Sequence, residues 1–260
     1  QNEQDSRFFA DFAKIICLEP VNQQQAYEMT REAFELSEQF HIPVMIRLVT
    51  RLSHSRAAIV RTEGREQNPL EKATDRTAWQ LIPAWARKRW QSLLDRQKDI
   101  CHYTEHSKIN MLQLNSSFKE YGVITTGLGY NYYQENLPEL ASKPSHLHIG
   151  AYPIPKEKIR HLAESVDKLI LIEEGYPFVE HYIRGVLPLN IQIAGKESGE
   201  LPITGELDPD NIRSAFGLPP KKTLPKGNME LPKRPPQLCK GCPHEDTYNF
   251  IKEVRDSIDK

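Results

Sequence analysis

The feature that most limits the possible folds of this chain is an alternation of short apolar runs with helical segments over residues 121–197. The runs are YGVITTG, HLHIGAYPIP, DKLILIEEG and LNIQIAGKE, and each is typical of a buried strand. The segments between them are LGYNYYQENLPEL, PKEKIRHLAESV and YPFVEHYIRGVL, which are typical of helices. This alternation predicts a parallel-type α/β domain, because consecutive parallel strands need helical crossovers.

A second strand–helix–strand unit is predicted near the start of the chain. The apolar runs KIICLEP and IPVMIRLVT (42–50) are the two strands. Apolar residues at helical spacing lie between them: Ala26, Met29, Ala33, Leu36 and Phe40. Together with Asn22 and Gln25, which resemble a capping box, they predict a helix over 23–40. The polar stretch RLSHSR (51–56) then falls at a strand's carboxyl end, where open α/β sheets place ligands.

Residues 57–107 have a different character, because they carry all three tryptophans and many basic residues. We interpret them as one or two helices that connect two α/β parts, with Trp79, Trp85 and Trp90 packing on a neighbour. A nucleic-acid surface is the less favoured alternative, since acidic residues partly balance the basic ones.

The C-terminal part begins with GELDPDNIRSAF (205–216), which predicts a helix with Asp208 as N-cap and Pro209 at its first position. Residues 219–236 contain six prolines and five basic residues, which predict an extended linker. A helix is expected over about 246–258, with an apolar face of Tyr248, Ile251, Val254 and Ile258. A single helix needs tertiary cover. We therefore expect 238–260 to be weakly anchored, or packed on 57–107 or on another copy.

The cysteines include one C-x-x-C pair, Cys239 and Cys242, with His244 two positions on. A closed zinc site or a cubane cluster needs four ligands. Three interpretations stay open: an incomplete metal site, a redox dithiol, or two structural thiols in a turn. The spacing favours the turn, and the dithiol is least favoured because that motif should follow a strand. Cys17 is interpreted as a buried small hydrophobe, and Cys101 has no close partner in the sequence.

Length and charge exclude some classes of protein. A chain of 260 residues can bury a sizeable core, and a net charge of -1 gives no general attraction to nucleic acids or membranes. No apolar run is long enough to span a bilayer, and no signal peptide is apparent. Scattered cysteines fit a reducing cytoplasm, so we expect a cytoplasmic protein. The first residue is not Met, and we interpret the chain as an internal piece of a longer protein.

Several motifs occur in one order along the chain. They are QNEQDSR, LEP, AFELSEQFHIPVMIRLVTRLSHSR, GVITTGLGYNYYQE, LIEEGYPFVE and RPPQLCKGCPH. Together they resemble the alpha subunit of indolepyruvate:ferredoxin oxidoreductase, a thiamine-diphosphate enzyme family related to pyruvate:ferredoxin oxidoreductase. The resemblance covers nearly the whole chain, and its specificity comes from the order of the motifs, since any single one would be weak.

The resemblance implies an α/β fold: the end of a thiamine-diphosphate pyrimidine-type domain plus a transketolase C-terminal-like parallel α/β domain. It implies five consecutive parts: the C-terminal part of the pyrimidine-binding domain (1–56), a helical connection (57–107), the transketolase C-terminal-like domain (108–217), a Pro-rich linker (218–237) and the start of the pyrophosphate-binding domain (238–260).

The family's reaction is the oxidative decarboxylation of aryl 2-oxoacids such as indolepyruvate to acyl-CoA. The resemblance therefore implies coenzyme A, ferredoxin and a beta subunit as partners, and thiamine diphosphate, Mg²⁺ and a [4Fe–4S] cluster as cofactors of the full enzyme. The family holds the diphosphate through a GDG…N segment, and this sequence contains no Gly-Asp step. The family's activating glutamate would lie before residue 1. We expect the chain alone to be inactive and to bind no cofactor tightly.

Alternative functions are a non-catalytic α/β assembly or binding module, and a pyruvate- or 2-oxoglutarate-type relative. A zinc-stapled regulatory module is a further alternative, which would use Cys239, Cys242 and His244 with one more ligand.

The candidate site residues lie in three places. Asn2, Glu3 and Gln4, followed by Asp5, are expected on a loop at a strand's carboxyl end near cofactor or substrate, with a solvated or interface loop as the equal alternative. His54 could hydrogen-bond substrate or diphosphate, although a backbone contact between domains is favoured. The resemblance implies that Cys239 and Cys242 begin a metal set, for an iron–sulfur cluster or zinc.

Two further motifs have structural interpretations. Glu173 and Glu174 look like a catalytic pair, but adjacent strand residues point to opposite faces, so helix capping and a domain contact are favoured. GLGYNYY lacks a full G-x-G-x-x-G pattern, so it is expected to turn the chain rather than to bind phosphate.

Overall fold

The computed structural model describes residues 4–70, 74–185, 187, 190–221, 238 and 240–258. The chain divides into two compact units, Gln1–Lys221 and Lys222–Lys260.

The first unit contains seven helices and eight strands among its described residues. The helices are α1 (Arg7–Ala13), α2 (Gln23–Phe40), α3 (Thr50–His54), α4 (Pro83–His106), α5 (Gly129–Asn136), α6 (Lys156–Glu164) and α7 (Phe178–Arg184). The strands are β1 (Ile16–Leu18), β2 (Val44–Ile46), β3 (Met111–Gln113), β4 (Gly122–Thr126), β5 (Ser145–Ile149), β6 (Ala151–Tyr152), β7 (Lys168–Ile172) and β8 (Gln192–Ala194). Short 3₁₀ helices cover Arg76–Trp79, Leu137–Glu139 and Arg213–Phe216.

The N-terminal strand–helix–strand unit is confirmed. β1 and β2 pair in parallel with Cys17 opposite Met45, and β6 joins β1 antiparallel, which gives the order β2-β1-β6. α2 has the predicted bounds, and the Asn22 side chain accepts a hydrogen bond from the Gln25 N–H at 2.8 Å. Its buried face, which includes Met29 and Leu36, packs against the core of this sheet.

The predicted parallel α/β sheet is also present, as five strands in the order β3-β5-β4-β7-β8. β5, β4, β7 and β8 are parallel, and β3 is an antiparallel edge strand that was not predicted. The sheet has an apolar core on each face. α6 and α7 cover one core, and α5 with the segment 201–216 covers the other. Helices on both faces explain why these strands are continuous apolar runs.

The two sheets are joined where the chain leaves β5 and enters β6. The sequence predicted one strand over 146–155, but the run divides at Gly150. The amide oxygen of the buried Asn110 accepts hydrogen bonds from the N–H groups of Gly150 and Ala151, both at 2.9 Å. Its amide nitrogen donates to the carbonyls of Thr104 and Ala151, also at 2.9 Å. These bonds satisfy backbone groups that a continuous strand would otherwise use, so the chain can change sheets.

The expected packing of the tryptophans is wrong for two of the three. Trp79 is 78% exposed and Trp90 is 51% exposed, whereas Trp85 is half-buried. α4 buries Ile100 in its C-terminal half, beside α2. Among the described residues between α3 and α4, one short 3₁₀ helix is the only regular element. Little structure is therefore present to cover the first half of α4.

Two other local expectations need correction, and one helix was not predicted. The segment 205–216 forms a 3₁₀ helix only at its end, because the Asp208 carboxylate closes a turn by accepting the N–H groups of Asp210 (2.9 Å) and Asn211 (2.7 Å). The strand expected over 42–50 is shorter, and α3 follows it. α1 lies in a stretch for which the sequence predicted no helix or strand.

The second unit contains the predicted helix as α8 (Pro243–Ile258). The sequence places Tyr248, Ile251, Val254 and Ile258 on this helix at the expected spacing. Most of the expected linker, residues 222–237, lies outside the described residues, so the anchoring of the C-terminal segment stays a prediction. Within the described part of the chain, no helix is long and apolar enough to cross a bilayer.

Candidate functional site

A cluster of buried polar residues lies where the strands of both sheets end. Its members follow, end or precede strands that point to one junction: Glu19 after β1, Arg47 after β2, Thr126 at the end of β4, Tyr152 at the end of β6, and Glu173 with Glu174 after β7. Carboxyl ends of parallel strands form the edge where α/β folds place ligands, so this junction is the candidate site.

Arg7 lies at the centre of the junction and is fully buried. Its guanidinium pairs with the carboxylates of Asp5 (Nη2–Oδ2, 2.5 Å) and Glu173 (Nη1–Oε2, 2.8 Å). It also donates to the carbonyls of Glu174 and Tyr176, both at 2.9 Å. The planar guanidinium thus directs its N–H donors to two carboxylates and two backbone carbonyls.

Arg47 provides the second buried cation. It pairs with the Glu19 carboxylate, lies 3.4 Å from Asp5 (Nε–Oδ1), and donates to the Glu174 carbonyl at 3.1 Å. The Tyr152 hydroxyl donates to the other oxygen of Glu19 at 2.7 Å. Each of these contacts joins segments that are distant in sequence. We call Asp5, Arg7, Glu19, Arg47 and Glu173 the ion network.

Glu173 and Glu174 have different partners, as expected for adjacent residues. The Glu173 carboxylate accepts the backbone N–H groups of Val179 and Glu180, both at 3.0 Å, at the start of α7. The predicted helix-capping role is therefore confirmed for Glu173. The Glu174 carboxylate accepts the Tyr132 hydroxyl at 2.9 Å and the Leu207 N–H at 3.4 Å.

The environment shifts the pKa values of these acids in opposite directions. Burial alone would raise the pKa of Asp5, but hydrogen bonds and the charges of Arg7 and Arg47 offset burial and lower it. Burial raises the pKa of Glu173 and of Glu174, against the opposing effects of Arg7 on the first and Tyr132 on the second. The shared position between two arginines thus favours the ionised form of Asp5.

Two glycines are required by the network. Gly175 has φ +79°, and a Cβ there would lie 2.8 Å from both Arg47 Nη2 and Asp5 Oδ2. Gly127 has φ +43°, and a Cβ there would lie 2.6 Å from a carboxylate oxygen of Glu19. Only glycine combines this backbone conformation with such a close approach.

An open crevice of about 430 Å³ lies beside the ion network. Its polar lining residues are Gln4, Ser6, Arg47, Thr50, Arg51, Glu174 and Glu206. Arg51 pairs with Glu206 at 3.0 Å and lies over the Tyr132 ring, 5.5 Å from its centroid. The crevice therefore combines two guanidinium groups with two acids, Glu206 and Glu174, and burial raises the pKa of Glu174. Such a surface can bind a small anion and orient it.

The structure locates only some of the predicted site residues. Gln4 lines the crevice. Asn2 and Glu3 lie outside the described residues. His54 is exposed at the end of α3 and is absent from the described lining of the crevice. The predicted roles of these four residues stay predictions.

The C-x-x-C pair is described only in part. Cys239 lies outside the described residues, and the Cys242 sulfur lies 3.4 Å from His244 Nδ1. Cys17 is fully buried, as expected, and burial raises its pKa to about 12. Cys101 is exposed. In the described part of the chain, no three His, Cys, Asp or Glu side chains could hold one metal. The predicted metal role of Cys239 and Cys242 stays a prediction.

The sequence analysis did not identify Arg7, Glu19 or Arg47 as part of a site. A signal was present, because Arg47 interrupts the apolar run IPVMIRLVT and Glu19 directly follows IICL. Charged residues next to buried strands must find partners, since an unpaired buried charge is costly. The sequence does not give those partners, because Arg7 and Glu173 are 166 positions apart.

Comparisons with known proteins give relatives along the whole chain. The indolepyruvate oxidoreductase subunit IorA of Methanothermobacter thermautotrophicus is 31% identical over 268 residues, which cover 100% of this chain and 43% of that protein. The subunits of the same name from Methanothermobacter marburgensis and Thermococcus kodakarensis are 32% and 31% identical, and cover 99% and 98% of this chain. No family model matches the sequence.

The fold has a relative among solved structures. A 2-oxoglutarate:ferredoxin oxidoreductase from Magnetococcus marinus, solved with 2-oxoglutarate, coenzyme A and succinyl-CoA, superposes with a TM-score of 0.55 and 15% identity over 83% of this chain and 45% of that one. The chain spans less than half the length of the curated relatives it matches. Over its whole length, the chain matches part of the proteins named indolepyruvate oxidoreductase subunit IorA, which confirms the resemblance that its motifs carry.

Proposed function

We propose that this chain is part of an enzyme that oxidatively decarboxylates aryl 2-oxoacids such as indolepyruvate. One 2-oxoacid anion and one coenzyme A thiol would give acyl-CoA, CO₂ and one proton. Two electrons would pass through iron–sulfur clusters to two ferredoxin molecules. The observation that carries the proposal is the end-to-end similarity to proteins named indolepyruvate oxidoreductase subunit IorA. The fold relative, solved with a 2-oxoacid, coenzyme A and an acyl-CoA, supports the reaction class.

We propose the same domain assignment as the motifs imply. Residues 1–56 would be the end of a pyrimidine-binding domain, and 108–217 a transketolase C-terminal-like domain, joined by 57–107. Residues 238–260 would begin a pyrophosphate-binding domain after the linker 218–237. The two separate sheets support the division, because β1 and β2 form the body of one and β3, β4, β5, β7 and β8 form the other. β6, from residues 108–217, crosses the division and pairs with β1.

Within that enzyme, the residues of this chain would position rather than react. The charged groups of the ion network are buried and paired with one another, so they hold the two sheets in register at the strand ends. The crevice beside them would receive an anionic part of a substrate or cofactor through Arg51 and Gln4. The beta subunit and the rest of the alpha subunit would complete the active site.

The diphosphate and its Mg²⁺ would be held by other parts of the enzyme. A divalent ion needs free oxygen ligands. The two carboxylates of the crevice already have partners, since Glu206 pairs with Arg51, and Glu174 accepts from Tyr132 and Leu207. The sequence has no Gly-Asp step either. We therefore expect calorimetric titration of the 260-residue chain with thiamine diphosphate and Mg²⁺ to show no micromolar binding; micromolar affinity would contradict this assignment.

The substrate class is tested with the full-length subunit that carries this chain, produced together with its beta subunit. Ferredoxin reduction should be measured with indolepyruvate, phenylpyruvate, pyruvate and 2-oxoglutarate at equal concentrations. We expect the highest kcat/KM for the two aryl acids and a requirement for coenzyme A. A preference for pyruvate or for 2-oxoglutarate would reject the aryl substrate and retain only the broader reaction class.

A further inference from the structure

A second concave surface lies between four helices, and it shares no lining residue with the crevice. It is a groove of about 440 Å³ between α1, α4, α7 and the start of α6. Its apolar floor is formed by Ala10, Ile15, Tyr152, Ile154 and Phe178. A groove of this size, with aromatic edges in its floor, is suited to a small molecule with a flat apolar body.

The charges around this groove are unevenly satisfied. Its three carboxylates have partners: Asp11 accepts the Tyr182 hydroxyl, Glu105 accepts two backbone N–H groups at the start of α6, and Glu157 pairs with Arg160.

The lysines of the groove are in a different situation. The ammonium groups of Lys14, Lys98 and Lys156 have no hydrogen-bond or ion-pair partner among the described residues. The lining thus sets three ammonium groups against three carboxylates, and the ammonium groups keep unused N–H donors that a ligand could accept.

A thiol lies in the wall of the groove. Cys101 is exposed there, on α4. Partial burial of the sulfur raises its pKa, the charges of Lys156 and Lys14 oppose that shift, and the charge of Glu105 adds to it. Both ammonium groups are therefore close enough to Cys101 to act on it through space. An occupant that met these lysines would also cover the thiol.

We propose that this groove binds an aryl carboxylate, with the aromatic body on the floor beside Tyr152 and Phe178 and the carboxylate at Lys14, Lys98 and Lys156. The aromatic floor favours an aryl over a purely polar anion, because edge-to-face contacts add to burial. The carboxylate would be recognised through unpaired ammonium groups, which lose no existing ion pair on binding.

The binding of such a ligand would bear on the buried junction. Arg7 and Tyr152 line the groove and also belong to, or donate to, the ion network. The proposal stands on the groove alone, and it holds whether or not the enzyme acts on aryl 2-oxoacids.

The test uses Cys101 as a built-in reporter on the 260-residue chain. The rate of alkylation by iodoacetamide is measured for each cysteine by peptide mass spectrometry, with and without 5 mM indole-3-acetate. This probe lacks the 2-oxo group, so it is not a substrate of the proposed reaction. A millimolar or tighter dissociation constant should slow alkylation of Cys101 at least about fivefold, by the factor 1 + [L]/Kd. Cys242, in the other unit, should keep its rate.

Matched probes and variants separate the two halves of the proposal. Indole-3-acetamide has the same aromatic body without the charge, and it should protect Cys101 several-fold less. Lys98→Gln should raise the dissociation constant by up to about fivefold, as expected for one partly exposed ion pair. Lys88→Gln, on the same helix but outside the groove, should leave protection unchanged. Comparing rates with and without ligand for each variant cancels any change in the thiol's own reactivity.

Three results would overturn the proposal. The first is an unchanged Cys101 rate at 5 mM indole-3-acetate. The second is equal protection of Cys101 and Cys242, which would indicate a reagent effect. The third is equal protection by indole-3-acetate and indole-3-acetamide, which would show that the lysines do not recognise the carboxylate.

Discussion

Two clusters in the first unit bury polar side chains, and they stabilise those side chains in different ways. The ion network pairs each of its cations with carboxylates, as in the contacts of Arg7 with Asp5 and Glu173. The second, which we call the imidazole cluster, consists of Thr125, His146 and His148 between β4 and β5, and it is neutral.

The imidazole cluster is built around one hydroxyl. Thr125 Oγ1 lies 2.9 Å from His146 Nε2 and 3.0 Å from His148 Nδ1. Because this hydroxyl carries one hydrogen, it donates to one ring and accepts from the other. The far nitrogen of His148, Nε2, is one of two buried side-chain polar atoms without a partner in the described part of the chain, and the other is the Tyr133 hydroxyl.

Burial disfavours the charged form of the groups in both clusters, and at Asp5 the hydrogen bonds and charges of the arginines offset it. Burial, followed by the charge of His148, lowers the pKa of His146 to about 3, and burial lowers the pKa of His148 to about 4. No carboxylate is a hydrogen-bond partner of either ring in the described structure. The comparison indicates that a buried charge persists here only where an opposite charge touches it. The ion network should therefore lose its stabilising effect when one charged partner is removed. The imidazole cluster should lose its stabilising effect when its rings are protonated.

The largest effect should come from removing Arg7. Arg7→Met keeps an apolar side chain near Tyr152 and Phe178, but it removes the cation of the buried Glu173 and one of the two cations that face Asp5. We expect the free energy of unfolding to fall by about 3–5 kcal/mol, the usual cost of breaking a buried pair. Urea denaturation followed by circular dichroism measures it.

The matched control for Arg7 is an exposed pair. Arg160→Met removes the partner of Glu157 on the surface of α6, and it should change stability by about 0.5 kcal/mol or less. If both variants lost the same free energy of unfolding, the buried pairs of the network would stabilise the fold no more than an exposed pair does.

A smaller effect should come from crowding the network without removing a charge. Gly175→Ala places a methyl 2.8 Å from Arg47 and Asp5, whose pairing prevents them from moving away. Gly205 has the same φ, +79°, but open space around its Cβ position. Gly205→Ala should therefore report backbone strain alone, about 1 kcal/mol, and Gly175→Ala should cost about 1–3 kcal/mol more.

The denaturation midpoints of these two alanine variants can be compared directly, because their backbone conformations match. If both variants lost the same stability, the close packing of Gly175 against the network would make no measurable contribution to the free energy of unfolding.

The smallest effect, counted per pH unit, should be the loss of stability when acid protonates the imidazole cluster. The folded pKa of His148 is about 4 and its unfolded value is near 6.5, so the unfolded state binds the proton first. The contribution of neutral His148 to the free energy of unfolding is thus fully present above about pH 6.5. It falls as the pH drops toward 4, by at most about 1.4 kcal/mol per pH unit for one histidine.

His148→Gln should reduce this pH dependence. The parent chain and the variant are unfolded in urea at several pH values between 7 and 4.5, and the two slopes are subtracted. Carboxylates elsewhere contribute equally to both proteins and cancel. Parallel curves over this range would mean that His148 titrates normally in the folded protein.

Sequence patterns were sufficient for the local structure but not for the junction. The bounds of α2 follow from its periodic apolar face and from Asn22, and the strands of the parallel sheet follow from their apolar runs. Capping by Glu173 could be predicted, because the carboxylate and α7 are neighbours in the chain.

Features that depend on distant segments could not be predicted. The pairing of Arg7 with Glu173 needs both sheets in place, and the break between β5 and β6 depends on Asn110, 40 residues away. The exposure of Trp79 and Trp90 has a similar reason. Large aromatic residues are usually buried, but here few described elements lie near the start of α4.

The central claim is that the buried ions at the strand ends act as one paired network, and a double-mutant cycle tests it most directly. Arg7→Met, Glu173→Gln and the double variant are compared with the parent chain by urea denaturation. If the two residues stabilise each other as the structure indicates, the double variant should be about 2 kcal/mol or more less destabilised than the sum of the single ones. Losses that add to within about 0.5 kcal/mol would contradict the account.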